Sequence, residues 1–433
     1  MHHPIFCDRR RCGLLGLALP ALALLASCGA GSRPAVEPQR DGGGRPSDAR
    51  GQLRRDGLVV LGADSAAYWQ PERPIPADAR PDARRLPDAR LNPDAGLGPS
   101  ASPSCSATSP VGATRAPSAR PYSRGSCPVW RAGRNLLPSG PTPRDQPRAF
   151  LLVVPSTPAR PGERFPLVFA WHWLGGSAAE MVERARLQLT ADQRRIVFVV
   201  PEAKGDLTIF GTDVGLFGFA DVPWPFMATA ENRRVEEELV FFDDLLACAT
   251  AQVPINADCV STIGLSAGAL FSAQLASARS GYLASFVSLS GGVQSSRPLS
   301  NLLLRPWFST AHRLPALVLW GGDDDACLSI DFARASRALE NQLAADGHFL
   351  VECLHDCRHG LWFDDQRSPA PGEPLPLASL VDFMLAHPYW LSSGASPYRS
   401  TGLPSGFLPW CSLGAGRATQ RNDLCPPSKC NLL

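Results

Sequence analysis

Ile263-Gly264-Leu265-Ser266-Ala267-Gly268 is the stretch on which the fold turns. An apolar run leads into it from Cys259-Val260, and a helix-forming run, Ala267 to Ala278, leads out. A Gly-x-Ser-x-Gly pattern alone is not rare in a chain of 433 residues. Flanked by a buried-type strand and a helix, it describes a tight strand-to-helix turn. There the glycines let the backbone pass while the serine is exposed at the apex. In isolation Ser266 could be an ordinary turn serine at a helix start; the downstream segments argue otherwise.

A serine hydroxyl is a poor nucleophile unless a histidine takes its proton and an acid orients that histidine. Pro315 to Trp320 reads as a buried strand and runs into Gly321-Gly322-Asp323-Asp324-Asp325. Phe349 to Leu354 reads as another and runs into His355-Asp356-Cys357-Arg358-His359-Gly360. Serine, then acid, then histidine, each past a strand end, is the chain order of an α/β-hydrolase. His359 is the expected base, because it precedes a glycine and lies farther from the strand end than His355, which is expected to bond locally. Asp325 is preferred over Asp324 as the acid, with Asp323 facing water or capping the turn.

The adduct on Ser266 would be an oxyanion needing preorganised donors. One is the backbone N–H of Ala267. The other is expected from the loop His172-Trp173-Leu174-Gly175-Gly176, as the N–H of Trp173 with Leu174 as alternative. His172 itself reads as structural. His312, His348 and His387 have no partner signals and are expected at the surface or at helix ends.

Other segments supply the scaffold. Arg148 to Pro155, Phe165 to Trp171, Arg195 to Val200 and Leu283 to Ser290 read as strands. Helices are expected from about Ala178 to Leu189, over Glu231 to Thr250, Ile330 to Ala345 and Leu377 to Ala386. Nearly continuous apolar strands alternating with helices predict an α/β fold, a mostly parallel central sheet with helices on both faces. Asp243 and Asp244 are expected to be solvated or capping. Gly205 to Phe226, irregular and aromatic-rich, reads as a wall of a cleft.

The net charge of +2 gives no reason to expect nucleic acid or an acidic partner, and 13 cysteines suit an oxidising compartment. Arg9-Arg10-Arg11 followed by an apolar run, Gly13 to Leu25, reads as a signal peptide over residues 1–27. It ends in Leu25-Ala26-Ser27-Cys28, which resembles a bacterial lipobox. Cys28 would then be the lipidated N-terminus and the chain's only membrane attachment; simple secretion is the alternative. Residues 28–125, rich in Pro, Arg, Ala, Gly and Ser with Pro-Asp-Ala-Arg repeats at Pro81–Arg84 and Pro87–Arg90, read as a disordered tether. The catalytic domain is expected over 126–391 and a cysteine-containing tail, packed on it, over 392–433.

Cys248 and Cys259, joined by a short helix–strand connection, are expected to form a disulfide, and Cys327 to pair with Cys353 or Cys357. Cys411, Cys425 and Cys430 would staple the tail. Cys353-x-His355-x-Cys357-x-His359 offers zinc-type ligands, but ligands alternating along one short stretch make a poor tetrahedron. Neither metal nor cofactor is expected.

Pro166–Ser177, the Gly264–Gly268 elbow, Trp320–Cys327 and Glu352–Gly360 together resemble the secreted polyhydroxybutyrate depolymerase and feruloyl esterase group of α/β-hydrolases, over roughly residues 127–390. The resemblance implies hydrolysis of carboxylic esters, often in polymers such as polyhydroxyalkanoate or feruloylated or acetylated xylan. By position, Ser266, Asp325 and His359 match that group's triad. The chain departs from it in the tryptophan after His172 and in the aspartate-rich acid loop. The expectation is an extracytoplasmic, monomeric serine esterase. Peptidase or thioesterase action on the same fold, or an inactive surface-binding lipoprotein, are the alternatives.

Overall fold

The computed structural model describes residues 104–433 except 143–144, 206–207, 210–211, 214–221, 361–374, 423–424 and 426–433. The segment read as a signal peptide, Cys28, the Pro-Asp-Ala-Arg repeats, Cys430 and most of the aromatic-rich loop lie outside the described residues.

Nine strands form one sheet. In chain order they are β1 (Gly133–Pro138), β2 (Pro147–Val153), β3 (Phe165–Trp171), β4 (Val197–Pro201), β5 (Ile255–Leu265), β6 (Ser285–Leu289), β7 (Ala316–Trp320), β8 (Leu350–Leu354) and β9 (Cys411–Leu413). Their spatial order is β1-β2-β4-β3-β5-β6-β7-β8-β9. The six from β4 to β8 run parallel, and β1, β2 and β9 are antiparallel additions at the two edges. Register aligns Trp171 with Gly264, Leu265 with Leu289, Leu289 with Leu319 and Trp320 with Leu354. The loops carrying His172, Ser266, Asp325 and His359 therefore leave the sheet at one rim, the carboxyl ends of parallel strands.

The central strands are apolar on both faces because both are covered. In β3, Leu167, Phe169 and Trp171 join the core beneath α3 (Asn232–Gln252), α4 (Ala267–Arg279) and α5 (Phe332–Ala345). Val168 and Ala170, on the opposite pleat, join the core beneath α1 (Ala178–Arg184), α2 (Leu187–Arg194) and α6 (Ala378–Leu385).

Several expectations are corrected. The helix read over 178–189 is two helices, because Arg186 has φ 51°, a left-handed conformation that ends a right-handed helix. Strand β1 was not legible: it is a mostly exposed edge strand without an apolar period. Asp243 and Asp244 are buried rather than solvated. Asp243 accepts from Arg279 Nε at 2.8 Å, and Asp244 from the hydroxyls of Ser123 and Ser139, both at 2.7 Å.

Residues 104–125, read as tether, are fastened to the domain. Cys105 N–H donates to Leu385 O at 2.8 Å, Ala116 N–H to Asp258 Oδ1 at 2.9 Å, and Tyr122 is buried. Cys248 and Cys259 do not pair with each other; the disulfides are Cys127–Cys248 and Cys105–Cys259. Both partners come from the segment read as tether or from its boundary. Cys327 is disulfide-bonded, but to neither Cys353 nor Cys357, which pair with Cys411 and Cys425 of the tail.

Glu340 of α5 is 1% exposed and accepts from Trp320 Nε1 at 3.0 Å. Burial, reinforced by the neighbouring Glu352, pushes its carboxyl from an ordinary 4.5 up to about 8. The folded protein thus keeps a proton that the unfolded chain releases. The resulting stability is fully present below the unfolded value and lost as pH rises through the folded one. Between about pH 5 and about pH 8, unfolding free energy is expected to fall by up to about 1.4 kcal/mol per pH unit from this group. Denaturant titrations across that range should show the slope in the native protein and a flatter one in Glu340→Gln; equal slopes would remove Glu340 as its source.

Candidate active site

Ser266 stands between β5 and α4 with φ 53° and ψ −117°. A non-glycine residue persists there only if its surroundings over-determine it. They do: Ser266 N–H donates to Leu289 O at 2.8 Å, and its carbonyl accepts from Ala269 and Leu270 N–H at 2.9 and 3.0 Å. The motif glycines are required by space. A Cβ on Gly264 would lie 2.1 Å from Gly268 O, and one on Gly268 would lie 2.1 Å from Trp171 O.

Folding brings the three predicted side chains together. Ser266 Oγ lies 2.8 Å from His359 Nε2, and His359 Nδ1 lies 2.7 Å from Asp325 Oδ1. The second carboxylate oxygen of Asp325 accepts from Gly321 N–H at 2.8 Å, and the residue is wholly buried. Asp325 N–H donates to Gly322 O, and Ala333 N–H at the start of α5 donates to Asp325 O, both at 3.0 Å. Asp323 and Asp324 are exposed, and Asp323 pairs with Arg337. The ring of Phe332, next to Ala333, stacks on His359 with centroids 4.0 Å apart. No sequence pattern flagged Phe332.

His355 is turned inward. Its Nδ1 accepts from Cys357 N–H at 3.0 Å, and burial pushes the imidazole down to about 4, so it stays neutral beside the site. His348 and His387 are buried rather than at the surface, and each lies just past a helix end, that of α5 and of α6 respectively. They bond Leu314 O at 2.8 Å and Phe383 O at 2.6 Å, respectively. Cys353 and Cys357, being in disulfides, have no thiolate to offer a metal.

The loop after β3 lies against the elbow. Its His172 is buried, with Nδ1 2.9 Å from Trp173 O. The N–H groups of Ala267, Trp173 and Leu174 have no acceptor among the described residues. The described end of the aromatic-rich loop is core rather than open wall: Trp224 is fully buried and donates from Nε1 to His172 O at 2.8 Å.

No family model matches the chain, and no curated protein matches it. Solved structures do. The native structure of pOPH superposes with a TM-score of 0.51 at 18% identity, covering 67% of this chain and 97% of that one. The chain has the α/β-hydrolase fold. The structure of sOPH follows at a TM-score of 0.49 and 15% identity, covering 68% of this chain and 99% of that one. A ferulic acid esterase follows at 0.37 and 14%, with 52% and 90% covered. Among the described residues no helix is long and apolar enough to cross a membrane.

On this hydrolase fold the tail braces the histidine loop, which the sequence signalled only through its cysteines. Arg421 N–H donates to Leu354 O at 2.9 Å and its Nε to Asp356 Oδ1 at 3.0 Å; Gln420 Nε2 donates to His355 O at 3.3 Å. Cys357–Cys425 closes the brace two residues before His359. Replacing both cysteines by serine is expected to cost about 2–4 kcal/mol of stability, read by thermal denaturation. Labelling of Ser266 by a fluorophosphonate should slow in the same variant. Unchanged labelling would show that His359 keeps its place without the bridge.

Proposed function

We propose that the chain is a serine esterase that hydrolyses carboxylic esters through an acyl-enzyme on Ser266. The observation that carries this is the continuous hydrogen-bond chain from Ser266 Oγ through His359 to the buried Asp325 carboxylate. In the first half-reaction His359 Nε2 takes the Ser266 proton as Oγ attacks the ester carbonyl. The tetrahedral oxyanion faces the N–H groups of Ala267 and Trp173. Its collapse expels the alcohol, which leaves with the proton from His359. Water then attacks the acyl-enzyme by the same route, releasing the acid and restoring Ser266. Asp325 stays ionised, fixing the tautomer and stabilising the imidazolium. Neither metal nor cofactor enters this scheme.

Exported location is part of the proposal. Four disulfides that join described residues, and a further one at Cys327, favour an oxidising compartment. Cys28 would anchor the chain to a membrane through its lipid, with the residues before Ser104 as spacer. Substrates are proposed to be carboxylic esters of the polyhydroxyalkanoate, feruloyl or acetyl-xylan kind.

Ser266→Ala is expected to abolish turnover of a short-chain p-nitrophenyl ester while leaving the circular dichroism spectrum intact; undiminished turnover would refute the assignment. Asp325→Asn should lower kcat on the order of 10⁴-fold, whereas Asp324→Asn should leave it near the native value. The reverse ranking would move the acid to Asp324. A panel of ester, amide and thioester substrates on the purified protein separates esterase from peptidase and thioesterase.

A further inference from the structure

Resting on the acyl-enzyme reading above, we infer that Trp224 is a positioning residue for the oxyanion hole. By tying down the His172 carbonyl, its indole N–H fixes the direction of the Trp173 N–H. A trans peptide is planar, with its C=O and N–H pointing in opposite directions. The peptide that carries His172 O therefore carries Trp173 N–H on its other side. Trp224 Nε1 holds that carbonyl at 2.8 Å. The next peptide is held in the same way: His172 Nδ1 faces Trp173 O at 2.9 Å, and since a carbonyl only accepts, Nδ1 carries the proton. That second clamp sets the direction of Leu174 N–H. Both candidate donors of this loop are thus aimed from behind by buried side chains, and neither N–H has an acceptor among the described residues.

Packing puts this loop beside the serine elbow. A Cβ on Gly268 would meet His172 O at 2.6 Å as well as Trp171 O, so the clamped carbonyl lies against the first turn of α4, one residue past Ala267. Trp224 cannot drift from its post. Trp171 meets it edge-on at 5.0 Å, Phe271 of α4 stacks on it at 5.8 Å, and His172 leans on it at 5.1 Å. Such rigidity has a purpose if donors must be in place before charge develops, because then no reorganisation is needed during the reaction. A tryptophan needed only to fill the core could be exchanged for another aromatic at the cost of packing alone.

The test compares Trp224→Phe with the native protein and with Trp307→Phe. The latter removes a different indole donor, bonded to Asp346 Oδ2 at 2.8 Å. Kinetics use a p-nitrophenyl ester. An alkylboronic acid, whose tetrahedral adduct on the serine mimics the oxyanion, reports transition-state affinity. Deleting a donor outright costs on the order of 10²–10³ in kcat, so loosening one should cost about 10-fold or more. The expected result for Trp224→Phe is that fall in kcat, an equal loss of boronate affinity, and KM within about twofold of native. Trp307→Phe should change none of the three. If Trp224→Phe does not fold, benzothienylalanine at position 224 keeps the shape without the N–H and is read in the same way. Native kcat and boronate affinity in the folded variant would overturn the inference. Ser266→Ala, measured alongside, separates the two readings. Turnover surviving it overturns the acyl-enzyme and this role together; turnover lost there but intact in Trp224→Phe overturns the Trp224 role alone.

Discussion

The site depends on one backbone contact, the approach of Gly268 to the carbonyls of Trp171 and His172. It presses the first turn of α4 against the end of β3, so the elbow and the loop opposite it share a wall. A side chain at Gly268 would meet both carbonyls and force the two apart. The left-handed backbone of Ser266 survives because this contact and the bond from Ser266 N–H to Leu289 O leave it no alternative. Strain at the serine is thus offset by ordinary sheet packing on either side of it.

From that contact the electrostatics follow in layers. Asp325 is buried, but both carboxylate oxygens are bonded, one to His359 and one to a backbone N–H, so a charge there is compensated rather than stranded. The turn that holds Asp325 also starts α5, whose first residue, Phe332, lies flat against the His359 ring. Acid and imidazole are therefore fixed by the same few residues. His355, buried next to them with its imidazole held neutral, adds no competing charge.

Much of this was legible in the chain because its cues are local. Glycines punctuate the elbow and the acid turn, and apolar runs mark the strands, so the order of Ser266, Asp325 and His359 could be read without a structure. What could not be read was set by partners distant in sequence. Cys248 and Cys259 sit close along the chain, yet each bonds a cysteine more than a hundred residues earlier. Residues 104–125 look like spacer because their composition is polar, but Asp244 and Asp258, buried inside the domain, need the backbone and hydroxyl donors that this segment brings. Trp224 and Phe332 carry no motif; only their neighbours give them meaning. The left-handed Arg186 split what read as one helix.

The brace on the histidine loop also has a consequence for biosynthesis. A ribosome releases Ser266 and His359 well before Cys411 and Cys425, the residues that lock β8 and the loop beyond it. A newly made chain thus carries Ser266 and His359 before it carries the clasp that holds the histidine loop in line. Covalent maturation by an oxidant, rather than translation alone, completes the architecture around the imidazole.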